Sequence, residues 1–180
     1  MRVIRENENT SVRLNELLLA KEQRAERQAE WLTGYNRPVI SLTLVTPGPV
    51  KTGARYENIM GIALSECDQW LRETGWPVLA RQVNWLSTGP EALWCVDHPA
   101  PELKARLIDK EQTHPLGRLW DFDVICPVAG PVGRQSLNQH RRRCLVCDEP
   151  AACCTRSQCH SQAEVLACVE KMINDWFTRD

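Results

Sequence analysis

The sequence has almost no net charge, and tryptophan is its only abundant aromatic residue. Its 180 residues carry a formal charge of −1 and include seven Trp but only two Tyr and two Phe. A chain so close to neutral has no overall electrostatic attraction to nucleic acid or to a membrane surface. The tryptophans indicate a well-packed core, because each one buries a large area and needs a partner for its N–H group.

Long apolar runs are also missing. No stretch approaches the roughly 20 residues that span a bilayer. The first residues lead into polar ones rather than into the apolar segment of a signal peptide. Nine cysteines without such a signal are typical of the reducing cytosol, where thiols are core residues, metal ligands or catalysts. We therefore expect a cytoplasmic protein that binds neither a membrane nor nucleic acid.

Hydrophobic periodicity predicts an α+β fold. Helices are expected over 14–33, about 55–74, 101–112 and from 161 onward, and strands over 38–45, 78–87, 92–97 and 119–126. From the first strand to the last, the order strand, helix, strand, strand, helix, strand is that of a split βαβ, ferredoxin-like unit. An extra N-terminal helix precedes this unit, and we expect the helices to cover one side of a mixed sheet.

Short signals predict where these elements begin and end. Gly34 and Gly75 should end the first two helices, because glycine is favoured just past a helix C-terminus. Thr88–Glu91 should form a hairpin turn. Ser161 and Glu164 match a capping box, which predicts the start of the last helix.

The composition changes after residue 127, where proline, glycine and arginine become frequent. We expect a single domain over residues 1–180 with a core at about 38–127. The part at about 140–178 should form an appendage that contains a cysteine-rich segment and the last helix.

Asp121 and Asp123 flank Phe122 on the last predicted strand. Side chains alternate along a strand, so both carboxylates should lie on one face while Phe122 lies on the other. Carboxylates separated by roughly 6–7 Å at Cα repel each other. A divalent cation relieves this repulsion, and oxygen ligands suit Mg²⁺. The alternative is a solvated face paired with Arg118, because Asp-x-Asp is a short motif.

The segment from His114 to Arg118 comes directly before that strand and contains Pro115 and Gly117. An irregular loop at the end of a strand is a common location for functional residues. Arg118 could clamp a phosphate with its planar guanidinium. His114 could act as a base or donate a hydrogen bond to phosphate, or it could cap the preceding helix or pack against it.

A second candidate loop follows the first strand and includes Gly48 and Lys51, with Arg55 at the start of the next helix. A close-approaching turn, a lysine and a helix N-terminus together favour phosphate binding. The sequence does not match a Walker motif. A rigid surface turn with a solvated lysine is the alternative, since Pro47 and Pro49 remove two N–H donors.

Five of the nine cysteines are concentrated over residues 144–159. The cluster and the histidine that follows it are Cys144, Cys147, Cys153, Cys154, Cys159 and His160. Such spacing lets two short loops close around one tetrahedral zinc ion. The spacing alone leaves open which of the adjacent pair is the third ligand, and whether Cys159 or His160 is the fourth. A redox pair and incidental thiols are the alternatives.

Three segments together resemble a known family. They are Thr46-Pro-Gly-Pro-Val-Lys51, His114-Pro-Leu-Gly-Arg-Leu-Trp-Asp-Phe-Asp-Val124 and Arg142-Arg-Cys-Leu-Val-Cys147. The family is that of the holo-citrate lyase synthases, the apo-citrate lyase phosphoribosyl-dephospho-CoA transferases, and the resemblance covers nearly the whole chain. Its cysteine pattern corresponds here to Cys144, Cys147, Cys154 and His160. The remaining two cysteines of the cluster lie outside that pattern.

The resemblance implies a nucleotidyltransferase. Its donor would be 2′-(5″-triphosphoribosyl)-3′-dephospho-CoA, and its acceptor a serine on the apo-acyl-carrier (gamma) subunit of citrate lyase, with release of diphosphate. Asp121 and Asp123 would hold Mg²⁺, and either carboxylate or His114 would accept the serine proton. The residues expected to bind the triphosphate donor are Lys51, Arg55, Arg118 and Gly48. A zinc ion held by four protein ligands would be structural.

Two other functions are considered. The same chemistry could act on the carrier of malonate decarboxylase. Alternatively, a zinc-dependent RNA-binding module without enzymatic activity would use the cysteine cluster and the arginines at 141–143, although the lack of net positive charge argues against it. Those arginines and Arg134 could instead contact an acidic carrier protein or form a solvated run.

Overall fold

The computed structural model describes residues 11–178. The elements in this range are α1 (Leu14–Tyr35), β1 (Val39–Leu44), α2 (Ala54–Thr74), β2 (Val78–Leu86), β3 (Gly89–Val96), α3 (Ala100–Thr113), β4 (Trp120–Cys126), β5 (Gly130–Pro131), α4 (Ala151–Ser157) and α5 (Gln162–Phe177). Short 3₁₀ turns lie at Gly117–Leu119 and Gln135–Leu137. The α+β class is therefore confirmed, whereas β5 and α4 were not predicted.

The five strands form one sheet in the order β2-β3-β1-β4-β5. Each neighbouring pair in this sheet is antiparallel, so the prediction of a mixed sheet was wrong. The physical reason is the position of the hairpin strand. β3 lies between β1 and β2, and β1 lies between β3 and β4, so the parallel strands that each helix connects never touch.

One face of the sheet carries the hydrophobic core. Ile40 and Leu42 of β1 project into it, as do Trp94 of β3 and Phe122 of β4, and all four are almost completely buried. Apolar side chains of α2, α3 and α5 close this face. The three helices are therefore held by apolar burial, which is the main favourable contribution to folding.

Helix α1 lies against the opposite face. Ser41, which alternates with the core residues of β1, accepts a hydrogen bond from Gln28 of α1 at 2.9 Å. Arg24 and Arg27 of the same helix pair with the buried Glu91 of β3 at 2.9 and 2.5 Å. The helices thus cover both sides of the sheet, contrary to the prediction, because α1 contacts the sheet through polar side chains.

The predicted boundaries agree with the structure in part. Gly75, with φ 69°, ends α2 as expected, and Ser161 begins α5 through a reciprocal capping box with Glu164. Helix α1 instead continues past Gly34 and ends at Asn36, which adopts the left-handed conformation. The hairpin turn lies earlier than predicted, since Leu86 already pairs with Gly89. Within residues 11–178 no helix is long and apolar enough to cross a membrane.

Candidate active site

Asp121 and Asp123 project from the face of β4 that is opposite the core. Asp121 pairs in register with Thr43 of β1, and Asp123 pairs with Ser41. The intervening Phe122 is buried in the core. Both carboxylates therefore share the face against which α1 packs, as strand alternation predicts.

The two carboxylates influence each other. Partial burial raises the pKa of Asp123 above its ordinary value, and the negative charge of Asp121 raises it further. The Asp123 side chain still reaches solvent although neighbouring groups crowd its carboxylate. A pair of repelling, accessible carboxylates is an environment in which a divalent cation binds favourably.

A buried carboxylate supports β4 from its outer edge. Glu111, near the C-terminus of α3, is only 3% exposed, and its Oε1 accepts a hydrogen bond from the Phe122 N–H at 2.9 Å. Lys104 of α3 donates to the Phe122 carbonyl oxygen, and Arg134 pairs with the other oxygen of Glu111. These side chains satisfy backbone groups of β4 that no neighbouring strand reaches.

Arg142 connects this edge with the carboxylate pair. Its Nη2 donates to the Trp120 carbonyl oxygen at 2.5 Å and lies 3.1 Å from Glu111 Oε2, while its Nη1 lies 3.3 Å from Asp121 Oδ1. The sequence indicated Arg142 as a member of an arginine run and as the first residue of a segment that resembles the family, but it did not indicate Glu111 at all. No local pattern could have revealed their pairing, because the network joins three segments that are distant in the chain.

His114 lies on the other side of β4. It caps α3, its Nδ1 accepts a hydrogen bond from the Leu116 N–H at 3.0 Å, and its ring stacks on Trp120 with centroids 4.3 Å apart. The ring of Trp176 lies 4.8 Å away. Because Trp120 is buried on the core face, His114 is separated from the carboxylate pair by the sheet. These contacts give His114 a role in capping and packing, and its action as a base stays a prediction.

Arg118 holds the cysteine-rich segment, residues 140–160, against β4. Its Nη2 donates to the carbonyl oxygens of Arg143 and Cys144, both at 2.7 Å. Partial burial lowers the pKa of the Arg118 guanidinium, and the positive charge of Arg142 lowers it further. Among residues 11–178 no carboxylate lies within 4.0 Å of this guanidinium, so its charge is not compensated by an ion pair.

Lys51 lies in the turn after β1. Its Nζ donates to the Thr46 carbonyl oxygen at 2.5 Å. Burial lowers the pKa of Lys51 from its ordinary value, and the positive charge of Lys21 on α1 lowers it further. Arg55, one residue into α2, is exposed. The turn therefore presents one partly buried and one solvated cation at the end of β1.

Gly48 occupies the middle of that turn at φ 83°, which favours glycine. A Cβ added there would come within 2.8 Å of Gln162 Nε2, at the start of α5. The tip of the Gln162 side chain would have to shift to admit a side chain at this position, so the positive φ is the stronger reason for glycine. The proximity of Gly48 to α5 is a packing observation, and its role in donor binding stays a prediction.

A cleft of about 710 Å³ opens between this turn, the cysteine-rich segment and the start of α5. Its cationic wall comprises Arg118, Arg142 and Arg143, and its apolar wall includes Val45, Leu145 and Val165. The volume is within the range of small-molecule sites. Of this lining, the sequence singled out Arg118 as a substrate-binding residue and Cys144, Cys154 and His160 as metal ligands. The cleft itself was not predicted, because it forms where three distant segments meet.

The cysteine-rich segment brings four potential metal ligands together. The ligand atoms of Cys144, Cys147, Cys154 and His160 all lie within 4.8 Å of one another. His160 Nε2 is 3.2 Å from Cys147 Sγ, which is 3.5 Å from Cys154 Sγ. Three thiols and an imidazole form a donor set that suits a tetrahedral structural zinc ion. This group could therefore bind a metal such as zinc.

Backbone contacts bring these ligands together. Arg143 forms an isolated antiparallel bridge with Pro150, and the Cys144 N–H donates to the Glu149 carbonyl oxygen at 2.7 Å. The tight loop carries the first two ligands, and helix α4 carries Cys154. His160 directly precedes the N-cap of α5, so a metal ion here would link the loop to the last helix.

Comparison with known proteins agrees with this arrangement. The family model described as apo-citrate lyase phosphoribosyl-dephospho-CoA transferase matches residues 12–176. The chain belongs to this family. The match includes β4 with its two aspartates, the turn after β1 and the whole cysteine-rich segment.

Individual relatives in the transferase family are similar over most of their length. A Vibrio cholerae serotype O1 (strain M66-2) protein, named a probable apo-citrate lyase phosphoribosyl-dephospho-CoA transferase, is 40% identical over 92% of this chain and 94% of its own. A Citrobacter koseri protein named an apo-citrate lyase phosphoribosyl-dephospho-CoA transferase is 34% identical over 92% of this chain and 90% of its own. An Escherichia coli O1:K1 protein with the same name as the Citrobacter protein is 33% identical, again over 92% of this chain and 90% of its own.

The transferase pattern and the geometry select the same four metal ligands. Spacing alone left Cys153 and Cys159 as possible ligands, but both are exposed and lie outside the group of converging atoms. The four residues of the family pattern therefore lie together as a group that could bind a metal, and their role as zinc ligands stays a prediction.

Proposed function

We propose that this chain transfers 2′-(5″-triphosphoribosyl)-3′-dephospho-CoA to a serine of the apo-acyl-carrier (gamma) subunit of citrate lyase, with release of diphosphate. The observation that carries the proposal is the match of residues 12–176 to the transferase family. The paired carboxylates of β4, beside a cluster of arginines and a cleft, offer a chemically suitable site for this transfer.

The reacting site in this proposal is the exposed face of β4. Asp121 and Asp123 would hold Mg²⁺, which when bound supplies positive charge to the attacked phosphate and to the leaving diphosphate. The serine proton would pass to one of these two carboxylates. His114 is the less suitable acceptor, since its ring stacks on the core side of the sheet.

Cations around this face would orient the donor. Lys51 and Arg55 follow β1, the strand that pairs with β4, and Gly48 lies between β1 and Lys51. Arg118 carries a positive charge without an ion-pair partner among residues 11–178. Such fixed cations stabilise negative charge on phosphate groups and position the α-phosphoryl group for attack.

We also propose one structural Zn²⁺ held by the three thiols and His160. Four protein ligands leave no open coordination position, so this ion would take no part in the transfer. Its contribution would be the local order of residues 140–160, which contain few buried apolar side chains.

The architecture supports a single nucleotidyltransferase domain built on a split βαβ, ferredoxin-like core. The supporting observation is that each helical crossover, through α2 and through α3, joins parallel strands separated by a third strand. Free thiols at a metal site also favour action in the reducing cytoplasm.

Mass spectrometry of the carrier tests the function. The apo-carrier of citrate lyase is incubated with donor, Mg²⁺ and this protein, and its mass should rise by that of the donor less diphosphate. A carrier whose acceptor serine is replaced by alanine should stay unmodified. The same assay on the carrier of malonate decarboxylase separates the two substrates.

Faster modification of the malonate decarboxylase carrier would assign the protein to that substrate. Absence of transfer to either carrier, together with salt-sensitive RNA binding, would instead favour the non-enzymatic alternative.

A further inference from the structure

The cleft beside the cysteine-rich segment is not needed to hold Mg²⁺ at the carboxylate pair, yet one arginine joins the two regions. Arg142 belongs to both regions, since its Nη1 lies 3.3 Å from Asp121 Oδ1 and its side chain lines the cleft. Val45 and Pro47, which follow β1, form another part of the lining. Arg142 therefore links the cleft with the carboxylate pair.

The charge of the lining favours an anion. Arg118 has no carboxylate within 4.0 Å among residues 11–178, and its buried Nε has no hydrogen-bond partner in that range. The charge of Arg142 is offset by Glu111 and Asp121, and Arg143 lies 3.3 Å from the exposed Asp148. Among these three arginines, Arg118 is therefore the one without a carboxylate partner in residues 11–178, although the Cys144 thiol, which also lines the cleft, lies near it.

That guanidinium is also fixed in orientation. Its Nη2 donates to two backbone carbonyl oxygens at 2.7 Å, which restrains the side chain before any ligand arrives. A restrained, planar guanidinium loses little conformational entropy when it contacts phosphate oxygens. Phosphate is the anion whose geometry such a group matches best.

The rest of the lining favours a neutral chain. Val45, Leu145, Ala151 and Val165 present apolar surface, while Thr155 and Gln162 offer polar groups beside it. A free phosphate or a lone triphosphate would leave this apolar surface unused. A diphosphate joined to an extended arm of amides and methylene groups uses both walls.

We propose that this cleft binds the diphosphate and pantetheine portion of dephospho-CoA, with Arg118 on the diphosphate and the apolar wall along the pantetheine arm. This assignment rests on the proposed function, because the donor there contains the same dephospho-CoA portion. The competing occupant is the triphosphate of that donor, which shares the anionic chemistry but lacks the arm.

Binding measurements without the carrier test this assignment. Isothermal titration is performed with 3′-dephospho-CoA and, separately, with inorganic triphosphate. Thr155→Trp would fill the cleft from the exposed side of α4, and Arg156→Trp is the matched control, since Arg156 is exposed and does not line the cleft. Dephospho-CoA should bind the native chain and the control alike, and bind Thr155→Trp about tenfold more weakly or worse.

A second measurement needs no variant. Hydrogen exchange of the native chain with and without dephospho-CoA should show slower exchange at 142–147 and 161–165, and no change on β2. If Thr155→Trp does not fold, the exchange experiment still tests the assignment, because it uses only the native chain. Protection elsewhere, or equal binding to the folded Thr155→Trp and the control, would overturn the assignment. So would inorganic triphosphate that binds as tightly as dephospho-CoA and protects the same segments, because the arm would then contribute nothing.

Failure of the cleft and failure of the function are separable. If dephospho-CoA binds in the cleft but nothing is transferred to the citrate lyase carrier, the cleft assignment stands and the proposed transfer activity is rejected. Normal transfer by Thr155→Trp with an unchanged donor KM would retain the function and reject the cleft.

Discussion

The two faces of the sheet are held in different ways. On the core face, Trp94 and Phe122 are almost completely buried among apolar side chains of the helices. On the other face, the buried polar groups Ser41 and Glu91 are satisfied by side chains of α1. Burial without directional bonds stabilises one face, and specific polar pairing orders the other. Asp121 and Asp123 lie on the polar face, where charged groups are tolerated without disturbing the core.

The largest expected effect is on the core side of β4. Phe122→Ala should lower the free energy of unfolding by about 4 kcal/mol, since it removes a buried ring and leaves a cavity. Urea denaturation measures the change. Phe122→Leu is the control and should cost about 1 kcal/mol. Equal effects of the two substitutions would mean that the ring does not pack as described.

The neighbouring positions on the polar face should behave in the opposite way. Asp121→Asn and Asp123→Asn should each slow transfer by about 10²–10³-fold, which corresponds to about 3–4 kcal/mol of activation free energy. The free energy of unfolding should change by less than about 0.5 kcal/mol, because both side chains reach solvent.

Rates of carrier modification and urea denaturation measure the two quantities for these variants. Asp109→Asn, on the exposed surface of α3, is the control and should alter neither. Near-native turnover in either aspartate variant would remove that residue from the proposed magnesium site.

Attachment of α1 should depend on one buried carboxylate. Glu91→Gln removes the charge that pairs with Arg24 and Arg27, and should cost about 2 kcal/mol of unfolding free energy, reduced by the partial exposure of both arginines. Hydrogen exchange should also quicken in α1. Glu26→Gln, exposed on the same helix, is the control, and an equal effect there would show that the pairing is unimportant.

Removal of metal should loosen residues 140–160, which contain few buried apolar side chains. Elemental analysis should give about one zinc per chain, and a chelator should quicken exchange over 140–160 while lowering the unfolding temperature by only about 3 °C. Cys154→Ser should lose zinc, whereas the adjacent, exposed Cys153→Ser should retain it. Little zinc in a chain with an intact fold and free thiols would contradict the site.

The smallest effect is expected at the turn after β1. Lys51→Ala should raise the donor KM about fivefold, because the side chain is partly exposed and offers one cation among several. Steady-state kinetics with varied donor measures it. Lys171→Ala, on the exposed surface of α5, should leave the KM unchanged, and the same result at Lys51 would make the turn purely structural.

Some features with a local sequence pattern were predicted correctly, although the helix end at Gly34 and the hairpin turn at Thr88–Glu91 were not. Strand alternation predicted the shared face of Asp121 and Asp123, and the capping box at Ser161 predicted the start of α5. The prediction that Gly75 ends α2 was correct because the αL conformation that glycine adopts there is a local preference. Each of these depends on a few consecutive residues, which the sequence presents directly.

Features that depend on distant segments were missed. Helix α1 was expected to pack by its apolar side chains, yet Leu14 and Leu18 are exposed and the sheet contacts are polar. The antiparallel sheet and the cleft likewise arise from pairing between segments far apart in the chain. Glu111 reads as an ordinary helix-surface residue until α3 packs against β4.

The outer edge of β4 also bears on self-association. An edge strand with free N–H and C=O groups is a template on which another chain can add a strand. Here the Phe122 groups are taken by Glu111 and Lys104, and the Trp120 carbonyl oxygen by Arg142. β5 pairs only with the end of β4. An incoming strand would have to displace a buried carboxylate with its cations, so the side chains around Asp121 and Asp123 also protect this edge of the sheet from strand addition.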